Sequence, residues 1–331
     1  MATMKNEIDF LLHLADNALI IGHRNSEWCG HGPILEQDIA ITNIALDYIG
    51  QARNFYQHAA ELINRHPIGI DITQTGNDIV LPATEDSLAY LRDVREFKNL
   101  LITEIPNGDW AHTTLRLFLL SEFEMQLFTQ LLQHPDAQVA AIAEKSIKEV
   151  SYHVKWSQDW VLRLGDGTEE SKQRMQAAIE SIWAYTGELF IQPEYATAAC
   201  LNYAAIQDVW NKKVSAVFEE AGLNIPSKTF VQKGGAEGMH TEHLGYILAE
   251  MHADEASLCA GLLHDVIEDT ESNEIELREL FGEEITMLVL GVTNIRDLDK
   301  NRQVFLNERK IIESLAKDIR IIIIKLADRL H

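Results

Sequence analysis

His264 and Asp265 are adjacent in this chain, and a lone Asp328 lies further on in KLADRLH, residues 325 to 331. An adjacent histidine–aspartate pair, a histidine upstream and a distant aspartate can supply four ligands to one divalent ion. Mixed imidazole and carboxylate ligands suit manganese or a similar metal. Such a metal activates water for phosphoester hydrolysis. The dipeptide alone is common by chance. Glu268 and Asp269 stand beside it in LLHDVIEDT, residues 262 to 270. Together with KLADRLH they make the pattern strong.

The first three quarters of the chain point to different chemistry. Long helices with inward carboxylates are the setting of a di-iron site. Such a site needs two ExxH pairs, because positions three apart share a helix face. The ExxH present, Glu237 to His240, sits on a glycine-rich stretch rather than mid-helix. The nearest substitutes are Glu149 with Tyr152 and His153, Glu96 with Asn99, and Asp47. One reading is a degenerate metal site. The other is a set of polar residues hydrogen-bonded inside a bundle or at an interface. The missing histidines favour the second, so no cofactor is expected in this part.

The elements that would carry these residues are helices. Residues 35 to 65 contain no proline, and Ile41, Ile44, Ala45, Tyr48, Ile49 and Ala52 recur at helical spacing. His66-Pro67 ends that helix, and residues 67 to 84 read as a loop. Further helices are expected over 85 to 104, 110 to 133, 137 to 164, 169 to 185 and 203 to 221, separated by Pro and Gly breaks. Long helices with tight breaks favour an antiparallel bundle. Lys233-Gly234-Gly235-Ala236-Glu237-Gly238 reads as a flexible break. Shorter helices are expected beyond it, over 254 to 265, 274 to 281, 285 to 292 and 303 to 317. Ile321 to Ile324 reads as a buried helix. Trp28, Cys29, His23, His31 and His153 read as interior residues.

Composition narrows the function classes. The 331 residues are 46 % hydrophobic and 24 % charged, the balance of a globular protein. A net charge of −23 repels phosphate backbones, so nucleic acid is not an expected partner. No apolar run is long enough to span a bilayer, and MATMKNEIDF is not a secretory leader. Three scattered cysteines fit buried free thiols in a reducing cytoplasm.

Two resemblances cover the chain. ALIIGHRNSEWCGHGPILEQDIAITNIALDYIGQARN (18 to 54), LAYLRDVREFKNLLITEIPNGDWAHT (88 to 113), WVLRLGDGTEESKQRMQAAIESIWAYTGELF (160 to 190) and VQKGGAEGMHTEHLGYILAEM (231 to 251) resemble the structural subunit of bacterial phenylacetyl-CoA epoxidases. That resemblance implies a ferritin-like bundle over residues 1 to 250 that has lost its di-iron ligands. It implies as partners the iron-bearing subunit and the other members of that complex, with electrons from a separate reductase. ILAEMHADEASLCAGLLHDVIEDTE (247 to 271), FGEEITMLVLGVTNI (281 to 295) and AKDIRIIIIKLADRLH (316 to 331) resemble the hydrolase domain of guanosine tetraphosphate (ppGpp) synthetase/hydrolases. This second resemblance implies His264, Asp265 and Asp328 as manganese ligands, His240 as the upstream histidine, and Glu268 and Asp269 as helpers of the attacking water. The expected fold is therefore all-α, a ferritin-like antiparallel bundle followed by a partial HD-type helical segment over 251 to 331. The expected function is that of a non-catalytic epoxidase subunit in the cytoplasm. The alternative is a manganese-dependent ppGpp 3′-pyrophosphohydrolase. That hydrolase family continues well past ADRLH, so the segment is expected to be an inactive fragment.

Overall fold

The structure, a computed structural model, describes residues 2–65, 82–199, 201–227, 230–251, 263 and 274–292. The chain divides into two compact units, Met1–Ala249 and Glu250–His331. Every regular element among the described residues is helical.

In the first unit α1 (Ala2–Ser26) packs along α2 (Leu35–Arg65), and α5 (Trp110–Leu131) along α6 (Ala137–Gly165). Between the pairs lie the short α3 (Glu85–Tyr90) and α4 (Leu101–Glu104). The helices α7 (Glu169–Thr186) and α8 (Tyr203–Glu220) pack on α5. The core is the set of inward faces that helical spacing produces, with Ile41, Ile44, Tyr48, Ala52 and Phe55 from α2 all buried. Asp109, Asp136 and Asn202 cap α5, α6 and α8, each accepting a backbone N–H of the first turn. Thr168 and Ser171 form a reciprocal capping box on α7.

Helix α2 and the four helices α5 to α8 lie where the residue pattern puts them, within two residues at each end. Three expectations need correction. The stretch 85 to 104 is not one helix. It leaves helical geometry after Tyr90, forms a 3₁₀ turn at Val94–Glu96 and re-enters helix at Leu101. The cause lies in α1, which buries Asp16 and Asn17. The Lys98 N–H donates to Asp16 at 2.8 Å and the Leu100 N–H to Asn17 at 2.8 Å. A continuous helix would have kept those donors for itself and left two buried acceptors wanting.

The second correction concerns 233 to 238, which is a packed turn. Glu188 Oε1 accepts the N–H groups of Gly234 and Gly235 at 2.7 and 2.8 Å, and its Oε2 accepts that of Leu101 at 2.7 Å. A Cβ at Gly235 would lie 2.3 Å from the Asn99 carbonyl. Gly238, at φ +80°, would place one 2.4 Å from the Arg95 carbonyl. Close approach, not flexibility, is what these glycines provide. The third correction is at the end of α1. Trp28 is half-buried, while Cys29 and His31 are exposed. The chain leaves the core after Asn25, and Trp28 stays attached by its edge-on contact with Trp110, 4.9 Å between centroids.

A ninth helix, α9, runs Glu242–Met251. In the second unit α10 spans Glu274–Val292, with Gly282 at φ +84° interrupting it between the two expected short helices. The helices expected at 254 to 265 and 303 to 317, and the run 321 to 324, lie outside the described residues, as does the loop expected at 67 to 81. No helix among the described residues is long and apolar enough to cross a membrane.

Candidate functional site

The polar positions of the bundle gather in three clusters. The first crosses its middle. Asp47, Tyr48 and Gln51 come from α2, Ser121 and Glu124 from α5, and Glu149 and His153 from α6. His153 Nε2 lies 3.0 Å from Asp47 Oδ2. Gln51 donates to Glu149 at 3.0 Å. The Tyr48 hydroxyl donates to Glu124 at 2.7 Å. The rings of Tyr48 and His153 stand 4.8 Å apart. Burial pushes the Glu124 carboxyl up to about 8, against the opposing hydrogen bond from Tyr48. At neutral pH Glu124 is therefore an uncharged acid, and its neighbours are arranged as pairs rather than around a shared point.

Of the sequence-predicted substitutes, Asp47, Glu149 and His153 meet in this layer. Tyr152 turns outward and is exposed, because it neighbours His153 on a helix whose inner face His153 takes. Glu96 is elsewhere, closing the 3₁₀ turn by accepting the Asp93 N–H at 2.6 Å. Among the described residues no three His, Cys, Asp or Glu side chains are grouped so as to hold a metal ion. The residue pattern did not single out Glu124, although a signal existed. In LRLFLLSEFEMQLF, residues 115 to 128, acids stand inside an almost continuous apolar run, where a carboxylate has no route to water.

The second cluster surrounds Glu104, which is fully buried. Its carboxylate accepts the Thr241 N–H at 2.6 Å, Asn99 Nδ2 at 2.8 Å and His240 Nδ1 at 2.9 Å. His240 Nε2 donates to the Phe97 carbonyl at 2.8 Å. Both ring nitrogens of His240 are thus engaged, by a carboxyl and a carbonyl, which favours the doubly protonated ring. Burial opposes that charge, but Glu104 outweighs it and the pKa of His240 is raised. An imidazolium has no lone pair for a metal. The resemblance-based ligand His240 is thus bonded through both ring nitrogens inside the bundle, which leaves neither nitrogen open to a metal in this arrangement. His264, Asp265, Glu268, Asp269 and Asp328 lie outside the described residues.

A third network ties α1 to the segment after α3. Asp16 accepts from Tyr56 at 2.5 Å, from Arg92 Nη1 at 3.1 Å and also from Arg92 Nη2. Burial works against the Arg92 charge, yet Asp16 and Tyr56 lift its pKa above the ordinary arginine value.

A helical bundle with carboxyl groups paired to an imidazole, an amide and a phenol across its centre fits a ferritin-like helical protein, here joined to an HD-type segment. Residues 1–258 match the family of phenylacetic acid catabolic proteins, and the chain belongs to that family. It is 42 % identical over 247 residues to a subunit of the 1,2-phenylacetyl-CoA epoxidase of Escherichia coli K12, covering 73 % of this chain and 93 % of that one. Residues 232–331 match the HD domain, overlapping the first match and including His240. Over 99 residues, 28 % of this chain, it is 46 % identical to a GTP pyrophosphokinase of Myxococcus xanthus, of which it spans 13 %. It is 49 % identical over 89 residues, 26 % of this chain, to guanosine-3′,5′-bis(diphosphate) 3′-pyrophosphohydrolase of Spiroplasma citri, of which it spans 12 %. The family match places the chain in phenylacetate catabolism.

Proposed function

We propose that the bundle is a supporting, non-catalytic subunit of a phenylacetyl-CoA epoxidase, standing beside a separate iron-bearing subunit in the cytoplasm. The observation that carries this reading is that the central polar layer bonds in separate pairs, Asp47 with His153, Gln51 with Glu149 and Tyr48 with Glu124, while Gln51 Oε1 and His153 Nδ1 have no hydrogen-bond partner. A di-iron centre needs carboxylates and imidazoles converging on shared ions, whereas these groups hydrogen-bond to one another in separate pairs. The likeness to the Escherichia coli epoxidase subunit, over nearly the whole length of that relative, supports the same role.

The test is co-purification followed by iron analysis. The isolated chain, reconstituted anaerobically with ferrous iron, is expected to retain no stoichiometric iron. Mixed with an iron-bearing subunit and a reductase, it should enter a complex that turns over phenylacetyl-CoA only when the partner's iron site is intact. Two tightly bound irons per isolated chain, lost in Glu149→Ala, would overturn the reading.

The HD match favours a second reading, a manganese-dependent ppGpp 3′-pyrophosphohydrolase in residues 251 to 331 with His240 as its upstream ligand. It requires His240 to surrender both hydrogen bonds and a proton, and Glu104 to lose its buried counter-charge. The expected result with excess manganese is ppGpp hydrolysis no faster than in Asp265→Ala. Multiple turnovers abolished by that substitution would put the hydrolase first.

A further inference from the structure

Beside the Tyr48–Glu124 pair the bundle holds a small cavity of about 10 Å³. Asn17 of α1, Gln51 of α2 and Glu124 of α5 line it, and its other walls are Leu, Ala and Phe residues. Every residue around it is buried. A space of that measure takes one water molecule and nothing larger. An apolar cavity stays dry, whereas one that offers a water two to four polar partners does not.

Each of the three polar walls has a hydrogen bond still to make. Gln51 Nε2 donates to Glu149 at 3.0 Å, which sets the way its amide faces. Its Oε1 is buried and has no partner. The Asn17 amide is fixed in the same manner, with Nδ2 donating to the His13 carbonyl at 2.8 Å and Oδ1 accepting the Leu100 N–H at 2.8 Å. An amide oxygen has two lone pairs, so Asn17 Oδ1 can accept once more. Glu124 Oε2 accepts from Tyr48 at 2.7 Å, and as a neutral acid Glu124 has its own proton to give. One donor and two acceptors around room for a single molecule match a water, which accepts one hydrogen bond and gives two.

We propose that this cavity is a binding site for one water molecule, which accepts from the Glu124 carboxyl and donates to Gln51 Oε1 and Asn17 Oδ1. The water links the Tyr48–Glu124 pair to the Gln51–Glu149 pair and ties α1, α2 and α5 together through one molecule. It takes the proton of Glu124 and offers that carboxyl no donor, which favours the neutral acid. A metal cation is a poorer occupant, because two of the three oxygens belong to amides and burial keeps the third group protonated. This site does not depend on the epoxidase reading.

The experiment is a crystal structure of the full chain, at a resolution that shows ordered water and with rubidium chloride in place of sodium chloride. The expected result is one peak within about 3 Å of oxygens of Glu124, Gln51 and Asn17, without anomalous signal. Rubidium at that place would overturn the proposal in favour of a monovalent cation, and a cavity without density would overturn it outright. In solution, oxygen-17 relaxation dispersion counts long-lived internal waters. Gln51→Leu removes an acceptor and should lower the count by one. Glu124→Gln should leave it unchanged, because the amide N–H donates where the acid did, whereas a bound cation would be expelled. Circular dichroism checks each fold, and Gln51→Met carries the same test should Gln51→Leu not fold. An unchanged count in the folded Gln51 variant would overturn the site, and a lost water in Glu124→Gln would overturn Glu124 as its donor.

Discussion

Arg92→Ala will lower the unfolding free energy of the bundle by about 3–5 kcal/mol, because it strands a fully buried carboxylate. Asp16 takes two hydrogen bonds from the Arg92 guanidinium and has no exposure to water. Its other partners, the Tyr56 hydroxyl and the Lys98 N–H, are neutral donors and cannot replace the lost charge. Arg92 also donates to the Leu88 and Glu96 carbonyls, so the irregular segment after α3 loses its anchor in the same step. All six tryptophans fall between Trp28 and Trp210, and urea unfolding followed by their fluorescence therefore reads the bundle alone. Arg92→Lys should cost less than Arg92→Ala, since it keeps the charge but not the two-pronged geometry. A loss below about 1 kcal/mol for Arg92→Ala would show that Asp16 is not a buried charge in the folded bundle.

The same network explains where the residue pattern and the structure part company. Helix α2 was legible to its ends, because a proline follows it and its buried residues keep a clean helical period. Helix α1 was not picked out. Nearly every residue from Ile8 to Ile21 is buried, and a helix buried all round shows no stripe to read. The break in 85 to 104 was invisible because its cause, Asp16 and Asn17, lies some eighty residues earlier in the chain. Gly234, Gly235 and Gly238 were legible as a break in helix. That the break is packed depends on Glu188, which nothing nearby in sequence announces.

For the candidate site, spacing brought out Asp47, Glu149 and His153, since all three sit on regular helices where position predicts face. It did not bring out Tyr48 with Glu124, a contact between helices 76 residues apart. His240 shows a different limit. Its place in the sequence suits two families at once, and only the side chains around it reveal Glu104 and the Phe97 carbonyl as its partners.

Glu124→Gln will make the stability of the bundle less sensitive to alkali. The folded carboxyl is held at about 8 by burial, against an ordinary glutamate value of 4.5. The folded state thus binds more protons than the unfolded state between those two values, and stability falls as pH rises through that window. Below pH 4.5 both states are protonated and Glu124 adds no pH dependence. Above pH 8 the full cost of a buried carboxylate is present. Glutamine can accept the same hydrogen bond from Tyr48 without ever ionising. The substitution should be nearly neutral at pH 4.5 and stabilising by a few kcal/mol at pH 9, since each tenfold change in proton affinity is worth about 1.4 kcal/mol. The measurement is the difference in unfolding free energy between Glu124→Gln and the parent chain at intervals from pH 4.5 to 9. Groups that do not sense Glu124 contribute equally to both proteins and cancel, and Tyr48, its hydrogen-bond partner, is held protonated well above the ordinary tyrosine range. A difference that stays flat across the range would mean that Glu124 is ionised in the folded bundle, with a cation or water beside it that these contacts do not supply.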